Sequence, residues 1–593
     1  MERIKRQLYN YLQEIKRQRR QNHPATRFED LANEIIYEIF DYVDSYHAYK
    51  GFFSLNYRFQ SLLMGSTLPL RISIPLMSSS TFDHYNKGII QPNLQRIHSI
   101  QISNYFMYDN QTLPLTQMTS LRSLVIENIE SKCLEGLLNR LTSLPHLSSL
   151  SITTIDKVKE RTRIYQQIFR LSSLRYCKLS LVHIENPWRE PPLNLLNEQS
   201  PIEYLIIYDH IEYRQLNNFL SCVPQLRHLS LKLSNCNNIL PMSGSYHLLN
   251  NLTSVSLQLY NISLEEMEHI LINYFRFVEI LRISGYAEHL DANWWQQLIS
   301  THLLRLRIFD IKLHFKANCE ADNLEYENQG NLFQSPFWIE HRWFFRSALG
   351  PDTYLHERIM FSTDPYRRKN YEIYGKVSEE SFRDETARVL LSVNHVEIQE
   401  EGGVYQQIYS FPNVTELTLH GSFIAPHRTL SVGLNRILSL QRIKIFTIRC
   451  RGLCFEKMIC LLSYVPNVQT ITVESIFSDK NERESIHQYQ QFQLLSQKNR
   501  ITSVTVEQKR ALDVITLFVK LFPRVQSLSI DIMPKDMKSI FELLSNKNVP
   551  NLLLLCFNFA SKACFRQLNG LISSKVLPSD YKVAHIDEKL YLW

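Results

Sequence analysis

The chain of 593 residues is long enough for several ordinary domains, or for one long repeat array behind a small module. Hydrophobic residues make up 44% and charged residues 21%, which argues against extensive disorder, and 15 glycines are too few for a fold built on phosphate loops. Residues 1–22 contribute +5 of the net charge of +7, so the rest is nearly neutral and does not favour a nucleic-acid-binding surface.

Targeting and membrane signals are the next feature to consider. The first 30 residues are polar and basic, so we expect no secretory signal. No apolar run approaches the roughly 18 residues that a membrane-spanning helix needs. The ten cysteines have no disulfide or zinc-finger spacing, so we expect reduced, buried thiols. We therefore expect a cytoplasmic or nuclear protein that does not bind a membrane.

The N-terminal segment, residues 1–23, is strongly basic. Basic residues surround Leu8, Leu12 and Ile15, a pattern that predicts a basic amphipathic helix. The run from Lys16 to Arg20 is typical of a nuclear import signal, and it is equally typical of a solvated helix.

Residues 24–66 form a predicted all-helical module. One apolar stripe at helical spacing consists of Leu31, Ile35, Ile39, Phe40 and Val43. A second helical face consists of Phe52, Phe53, Leu55, Phe59, Leu62 and Leu63. A module of this size has little core of its own, so we expect it to dock onto something.

The stretch from Leu31 to Val43 resembles the opening of an F-box, which reads Leu-Pro-x-Glu-(Leu/Ile)-(Leu/Ile)-x-x-Ile-(Phe/Leu)-x-x-Leu. Ala32 stands in place of the proline, and Tyr57 or Arg58 in place of a common tryptophan. The resemblance implies docking onto the Skp-type adaptor of a cullin–RING ubiquitin ligase. The adaptor-binding residues that it implies are Leu31, Ala32, Glu34, Ile35, Ile39, Phe40 and Val43. The alternative is a helical cap that shields the first repeat.

Apolar residues at positions 0, 3 and 5 recur through most of the remaining sequence. The copies include Ile97/Ile100/Ile102, Ile202/Leu205/Ile207 and, later in the chain, Leu440/Ile443/Ile445. The first nine copies lie 24–28 residues apart, within the roughly 20–29 residues of a leucine-rich repeat. Each period has room for a strand and a helix, and parallel stacking of such units closes a continuous core.

This pattern resembles the leucine-rich-repeat horseshoe, although the asparagine that usually follows the strand is mostly missing. The resemblance implies an α/β solenoid in residues 67–314 and, with a C-terminal cap, in residues 389–593. Residues 315–388 interrupt it with a dense aromatic run and the basic cluster Arg367-Arg368-Lys369. We favour a β-rich insertion whose aromatic residues pack against neighbouring repeats. A functional insertion, including one with transferase chemistry, is the alternative.

Positions 2, 4 and 6 of each copy point away from the core and would line the concave face of the solenoid. The basic residues at these positions favour an acidic or phosphorylated partner, and they are Lys178, Lys232, Arg282, Lys312 and Lys444. The alternative is a neutral, Ser/Thr-rich sheet with ordinary solvated charges.

We find no spacing that catalysis requires: no phosphate loop, no nucleophile elbow and no His-Glu-x-x-His zinc helix. We therefore predict no catalytic residue, metal or cofactor, and a protein that is not an enzyme. The predicted function is that of a substrate-recognition subunit of an Skp–cullin–F-box ubiquitin ligase, which binds a target protein through its repeats. The alternative is a free-standing leucine-rich-repeat scaffold with an N-terminal helical cap.

Overall fold

The computed structural model is a mixed α/β protein with two large, mainly parallel sheets, as the repeat pattern predicts at this level. None of its described helices is both long and apolar enough to cross a membrane. The predicted basic segment, residues 1–23, lies outside the described residues. The structure describes residues 28–43, 45–65, 69–104, 113–182, 199–235, 246, 248–287, 291–316, 333–349, 357–375, 388–421, 427–450, 454–474, 490–507, 512–531, 536–544, 549–558, 562–573 and 582–593.

Three short helices begin the described chain: α1 (Asn33–Tyr42), α2 (Ser45–Phe52) and α3 (Tyr57–Gly65). Their small core contains Ile36, Phe59 and Leu62, and partly buried aromatic rings surround it. The Arg58 guanidinium donates hydrogen bonds to the carbonyl of Leu31 (2.6 Å) and to Asn33 Oδ1 (2.6 Å), which joins α3 to the start of α1. We call residues 28–65 the helical module.

The first sheet has twelve strands, and its first ten follow one another in chain order as parallel neighbours. Because each strand pairs with the next along the sequence, every connection must cross back over one face of the sheet. These strands are β1 (Leu70–Ile74), β2 (Ile97–Ile102), β3 (Ser123–Ile129), β4 (Ser149–Lys157), β5 (Tyr176–Val182), β6 (Tyr204–Glu212), β7 (His228–Ser234), β8 (Ser254–Tyr260), β9 (Ile280–Tyr286) and β10 (Ile308–Lys316).

Helices in the connections cover one face of this sheet: α4 (Ser79–Tyr85), α5 (Ser131–Leu141), α6 (Arg161–Phe169), α7 (Leu216–Ser221), α8 (Leu264–Tyr274) and α9 (Ala292–His302). Helix α8 begins with a capping box, in which the Ser263 side chain accepts from the Glu266 N–H and the Glu266 carboxylate accepts from the Ser263 N–H. The alternating apolar residues of the strands and the inner faces of the helices form one continuous core.

The pairing register agrees with the predicted apolar residues at positions 0, 3 and 5, a set that we call a triad. Leu124 pairs with Leu150, and Ile126 pairs with Ile152. Two asparagines adopt left-handed backbone conformations just where strands end, Asn128 with φ 57° and Asn261 with φ 54°. The Asn261 side-chain amide donates to the carbonyl of Asn235 (2.9 Å), so it links its unit to the preceding one.

An antiparallel hairpin ends the first sheet, made of β11 (Phe344–Leu349) and β12 (Glu357–Asp364), and α10 (Pro336–Glu340) precedes it. Strand β12 pairs antiparallel with β10. The aromatic rings before the hairpin join the first core, with centroids 6.1 Å apart for Phe309 and Trp338 and 5.7 Å for Phe309 and Trp343. This packing agrees with the interpretation of the insertion as β-rich and of its aromatic residues as core.

The second sheet has ten strands and a separate core. Its strands are β13 (Asn370–Ile373), β15 (His395–Ile398), β17 (Glu416–Gly421), β18 (Ile445–Cys450), β19 (Thr470–Val473), β20 (Ser503–Val506), β21 (Ser527–Asp531), β22 (Leu554–Asn558), β23 (Val583–Ile586) and β24 (Lys589–Leu592), while β14 (Arg388–Val389) and β16 (Tyr409–Ser410) pair separately. The accompanying helices are α11 (Glu401–Gln406), α12 (His427–Ile437), α13 (Phe455–Tyr464), α14 (Gln490–Lys498), α15 (Leu512–Leu521), α16 (Met537–Leu543) and α17 (Lys562–Ser573).

Two strands extend the arrays beyond the predicted copies. Strand β1 pairs in parallel with β2, one unit before the first predicted triad. Strand β13 pairs in parallel with β15, so the second sheet begins inside the stretch that the sequence assigned to the insertion. In β1 only Ile72 and Ile74 are apolar in the repeat frame, and in β13 only Tyr371 and Ile373 are. Neither strand therefore completes the predicted 0, 3, 5 pattern.

The predicted triad Leu440/Ile443/Ile445 is wrong by three residues. Strand β17 pairs with β18 so that Leu417 lies opposite Phe446. The residues of β18 that face the core are therefore Phe446 and Ile448, whereas Ile445 is 38% exposed. Apolar residues at 440, 443, 445, 446 and 448 satisfy the 0, 3, 5 pattern in two frames, and only strand pairing selects one of them.

The C-terminal hairpin β23–β24 also contacts residues in and near the first sheet. The Lys157 N–H at the end of β4 donates to Asp587 Oδ2 in the hairpin turn (3.1 Å). Leu76 and Ile155 pack against a cluster that includes Ile586 and Tyr591. Residues more than 400 positions apart in sequence are thus in direct contact.

Candidate functional site

The predicted adaptor-binding residues divide into an outer and an inner group. Ala32, Glu34 and Ile35 are exposed, and the Ile35 side chain is 43% accessible. Leu31, Ile39, Phe40 and Val43 are half-buried. The stripe is therefore only partly on the surface of the helical module.

Phe40 and Val43 face inward. The Phe40 ring lies 5.3 Å from that of Phe52, and both Phe40 and Val43 line a cleft of about 330 Å³ beside β1. Their position favours a structural contribution over direct exposure to a partner. Beyond the predicted stripe, two further apolar side chains of the module are exposed, those of Leu55 and Tyr57.

The helical module is firmly joined to the first sheet. Tyr49 of α2 packs on Phe53 (4.6 Å between ring centroids) and on Tyr85 of α4 (5.8 Å). The Arg96 guanidinium, which precedes β2, donates to the Met64 carbonyl at the end of α3 (2.9 Å). Whatever binds the module is therefore held in a defined position relative to the first sheet.

The face of the first sheet opposite its core, which we call the first free face, carries four of the five predicted basic residues. Lys178 of β5 lies over the Tyr208 ring of β6, with Nζ 5.5 Å from its centroid. In the part of the chain that the structure describes, neither Lys178 nor Lys232 forms an ion pair with a carboxylate. No carboxylate of the described residues therefore pairs directly with either lysine, although Lys178 is near enough to Glu127 of β3 for its charge to oppose the rise that burial causes in the pKa of Glu127.

Arg282 and Lys312 already have carboxylate partners. Arg282 Nε lies 3.8 Å from Asp310 Oδ2, and Lys312 Nζ is paired with Glu372. Asp310 is almost completely buried, because Arg368 from the loop after β12 covers it and donates to its Oδ1 (2.9 Å). The basic cluster Arg367-Arg368-Lys369 thus supplies a structural ion pair through its central residue.

The exposed aromatic residues of the first free face were not among the predicted site residues. Tyr204, Tyr208 and Tyr286 are all exposed, on β6 and β9. The Tyr260 ring of β8 lies 4.5 Å from the His210 ring, and Gln258 Nε2 donates to the Tyr260 hydroxyl (2.6 Å). Tyr204 and Tyr208 stand at positions 2 and 6 of their copy, in the same outward-facing frame as the predicted basic residues, so the frame itself contained this signal.

Two histidines of this face have a lowered pKa. Burial lowers the pKa of His210, and the positive charges of Lys232 and Arg161 lower it further. Burial, together with the charge of Arg282, lowers the pKa of His228. Burial is the main cause of both shifts, and the neighbouring cations add to them because a positive charge disfavours the imidazolium form.

On the core side of this face, a register shift in β6 lies next to a buried carboxylate, that of Asp209. The register between β6 and β7 shifts between Ile206 and His210, and Asp209 within this segment faces the core in the same alternation as Leu205, Ile207 and Ile211. The Asp209 carboxylate accepts hydrogen bonds from the Tyr165 hydroxyl (2.7 Å) and the Leu181 N–H (3.0 Å). Burial raises the pKa of Asp209, and these two hydrogen bonds oppose that shift.

The second free face, which is the corresponding face of the second sheet, has different chemistry. Its central row runs across neighbouring strands as Thr418, Thr447, Thr472, Thr505 and Ser529. At its start, the His420 imidazole is hydrogen-bonded to the Glu397 carboxylate (3.2 Å), which lowers the pKa of Glu397. Lys444 lies before β18 rather than in this row, and Thr447 occupies the position predicted for it.

Comparison with known proteins does not identify a role for these surfaces. No model of a known protein family matches the sequence, and no curated protein matches it. Among the described residues, no group of three or more His, Cys, Asp or Glu side chains is arranged to hold a metal ion. The helical module and the first free face both expose apolar or aromatic side chains to solvent.

Proposed function

We propose that this protein is a target-binding subunit of an Skp–cullin–F-box ubiquitin ligase, and that both sheets are parts of one leucine-rich-repeat array. The observation that carries the proposal is the order of its parts. A three-helix module with exposed Ile35, Leu55 and Tyr57 is firmly packed against an array of parallel strand–helix units. The complex would act in the cytoplasm or nucleus, and bond making would belong to its other subunits.

Two features support the repeat assignment. Residues at positions 3 and 5 of successive triads pair across parallel neighbouring strands, which is the stacking that a leucine-rich repeat requires. Asn128 and Asn261 donate from the strand ends to carbonyls about one repeat earlier, at Ser103 and Asn235. Such asparagines satisfy backbone carbonyls between units, as expected of the family's asparagine.

The adaptor contact would use the outer residues of the helical module. Ile35 and its exposed neighbours Ala32 and Glu34 lie on one surface of α1, or just before it, and they resemble the F-box positions that meet the adaptor. An exposed apolar side chain on a short helix suits insertion into a groove on a partner. Phe40 and Val43, which face β1, would hold the module in shape.

The test is capture of a purified Skp adaptor by the full-length protein. We expect wild type to bind the adaptor and the Ile35→Asp variant to lose at least about tenfold in affinity, because a carboxylate cannot enter an apolar groove without losing hydration. The matched control is Leu304→Asp, which makes the same kind of change at a side chain that is 78% exposed on the array. Failure of folded wild type to bind the adaptor would contradict the proposal.

A free-standing repeat scaffold is the second candidate, and one observation favours it. Tyr46, Tyr49, Phe53 and Met64 of the helical module pack against the first core, as a terminal cap would. The same adaptor experiment separates the two candidates. A cap requires the inner residues alone, whereas an adaptor-binding module also requires exposed Ile35.

A further inference from the structure

The first free face groups tyrosine and lysine side chains on five consecutive strands. We call the following set the aromatic–basic patch: Lys178, Tyr204, Tyr208, Lys232, Tyr260 and Tyr286. They lie on β5 to β9, and their strands pair directly in that order. We propose that the aromatic–basic patch binds an extended acidic segment of a target protein that contains aromatic or aliphatic anchor residues. This inference rests on the proposed function, since it assigns the target's binding site to the first free face.

The charge of these strands favours an acidic occupant. Lys178 and Lys232 point away from the core, with Lys178 in the same cross-strand row as Ile206 and Ser230 and Lys232 two residues further along β7. The acidic residues within β5 to β9 are Asp209 and Glu212, and both are buried. The outward-facing charge of the five strands is therefore positive, and an acidic segment would meet no opposing carboxylate on them.

The tyrosines give this surface the composition of an interaction site. Monomeric proteins usually bury aromatic side chains, yet Tyr204, Tyr208 and Tyr286 are all more than 40% exposed. Tyrosine is enriched among the residues that dominate binding energy at interfaces. Each ring can pack against an apolar side chain of the partner while its hydroxyl makes a hydrogen bond.

The patch is already partly organised. Lys178 rests on Tyr208, Tyr204 stacks near His228 (6.1 Å between centroids), and Tyr260 is held by Gln258. Side chains that are positioned before binding lose less conformational entropy when the partner arrives. These contacts therefore favour binding over mere solvent exposure.

The dimensions suit a short extended segment. Five neighbouring strands about 4.8 Å apart span roughly 19 Å. An extended chain advances about 3.3 Å per residue, so about six residues span the five strands. Two serines on these strands, Ser230 and Ser256, are available to donate hydrogen bonds to carboxylates or to the partner's backbone.

A nucleic acid fits this surface less well. Proteins that bind nucleic acids strongly make roughly six to ten phosphate contacts. The cations of β5 to β9 are Lys178, Lys232 and Arg282, and Arg282 is already paired with Asp310. Two available lysines among tyrosines and serines favour a peptide.

The test uses the full-length protein and two pools of fluorescein-labelled octapeptides. The acidic pool has Asp or Glu at four positions and Phe, Tyr or Leu at two, and the basic pool has Lys or Arg in place of the acids. We expect anisotropy to report at least about tenfold tighter binding of the acidic pool. We expect the Lys178→Glu/Lys232→Glu variant to lose at least that factor. Lys444→Glu, a control with the same kind of substitution at one exposed residue before β18, should bind like wild type.

Several results would overturn the inference. These are equal binding of the two pools, no binding of the acidic pool, an unaffected double variant, or displacement of the acidic peptides by oligouridylate at lower concentrations than by the unlabelled acidic pool. The Lys178→Gln/Lys232→Gln variant removes the two positive charges without introducing negative ones. It replaces the glutamate variant in the test if that variant fails to fold. Adaptor capture is measured on the same preparation, so adaptor binding without acidic-peptide binding refutes this inference alone. The reverse result refutes the ligase proposal and leaves the acidic-peptide site standing.

Discussion

The first free face presents tyrosine, histidine and lysine, whereas the second free face presents a row of threonines that ends in serine. Both faces belong to parallel sheets with the same alternation of buried apolar residues. The threonines suit neighbouring strands in an ordinary way, since β-branched residues pair well across a sheet. Tyrosine also favours strands, and what distinguishes Tyr204, Tyr208 and Tyr286 is that their large rings remain more than 40% exposed.

The comparison separates what the fold requires from what a partner requires. The buried triads are alike in the two halves, for example Leu205 and Ile207 in β6 and Leu417 and Leu419 in β17. The outward residues between them are free to differ because solvent accepts any polar side chain there. The difference between the two free faces therefore points to binding by the first and to a mainly structural role for the second.

Removal of Arg368 should have the largest effect on stability. The Arg368→Ala variant leaves the buried Asp310 with only the distant guanidinium of Arg282, and we expect a loss of about 3 kcal/mol in the free energy of unfolding. Arg449→Ala breaks an exposed pair with Glu474 (4.0 Å) in the second sheet and should cost less than about 1 kcal/mol. Chemical denaturation measures both, and equal losses would contradict this assignment.

Truncation of two tyrosines should sharpen the contrast between the faces. We expect Tyr204→Ala/Tyr208→Ala to weaken binding of the acidic octapeptide pool roughly thirtyfold, since hot-spot truncations cost about 2 kcal/mol or more. Thr472→Ala/Thr505→Ala, which alters the second free face, should leave that affinity unchanged. Similar losses in the two double variants, measured by fluorescence anisotropy, would show that the tyrosines have no special role.

The hydrogen bond next to the β6 register shift should have a smaller effect. Tyr165→Phe deletes the hydroxyl that donates to the buried Asp209 carboxylate, and we expect the free energy of unfolding to fall by about 1–2 kcal/mol. The measurement is again chemical denaturation. A control is Tyr464→Phe, at an exposed side chain in α13, which should be neutral. An unchanged stability in Tyr165→Phe would contradict the account of Asp209.

The pH dependence of peptide binding should be the smallest effect. A bound acidic peptide favours the protonated forms of His210 and His228, so binding takes up protons and the affinity should rise as the pH falls below the ordinary histidine pKa of about 6.5. The lowered pKa values of both histidines move this rise toward the acidic end of that range. We expect a gain of several-fold between about pH 7.5 and 5.5, where peptide carboxylates remain ionised. The rise should be absent in His210→Gln/His228→Gln, and a rise that persists there would have another origin.

Much of the fold was predictable because burial leaves a local pattern. Residues such as Leu150/Ile152 and Val504/Val506 alternate with polar neighbours, and the structure pairs them as that frame requires. The frame failed at β18, where Ile445 and Phe446 are adjacent apolar residues and only pairing with β17 decides which of them is buried. The antiparallel return of β12 to β10 also depends on a long-range contact that no local pattern contains.

The candidate site was less predictable than the fold. Lys178 and Lys232 were recognised from the outward frame, but the pairing of Lys312 with Glu372 and of Arg282 with Asp310 depends on residues brought in by the insertion and by neighbouring strands. A sequence pattern reports which way a side chain points. It does not report whether another segment already satisfies its charge.

Under the two proposals, one chain joins two partners at separate surfaces, the adaptor at the helical module and an acidic segment at the first free face. The most direct measurement is sedimentation velocity of the full-length protein mixed with a purified Skp adaptor and the labelled acidic octapeptides. The account predicts that the label sediments with the adaptor complex, and that Ile35→Asp removes the adaptor while Lys178→Glu/Lys232→Glu removes the label. An adaptor that fails to bind, or that displaces the peptide, would contradict it.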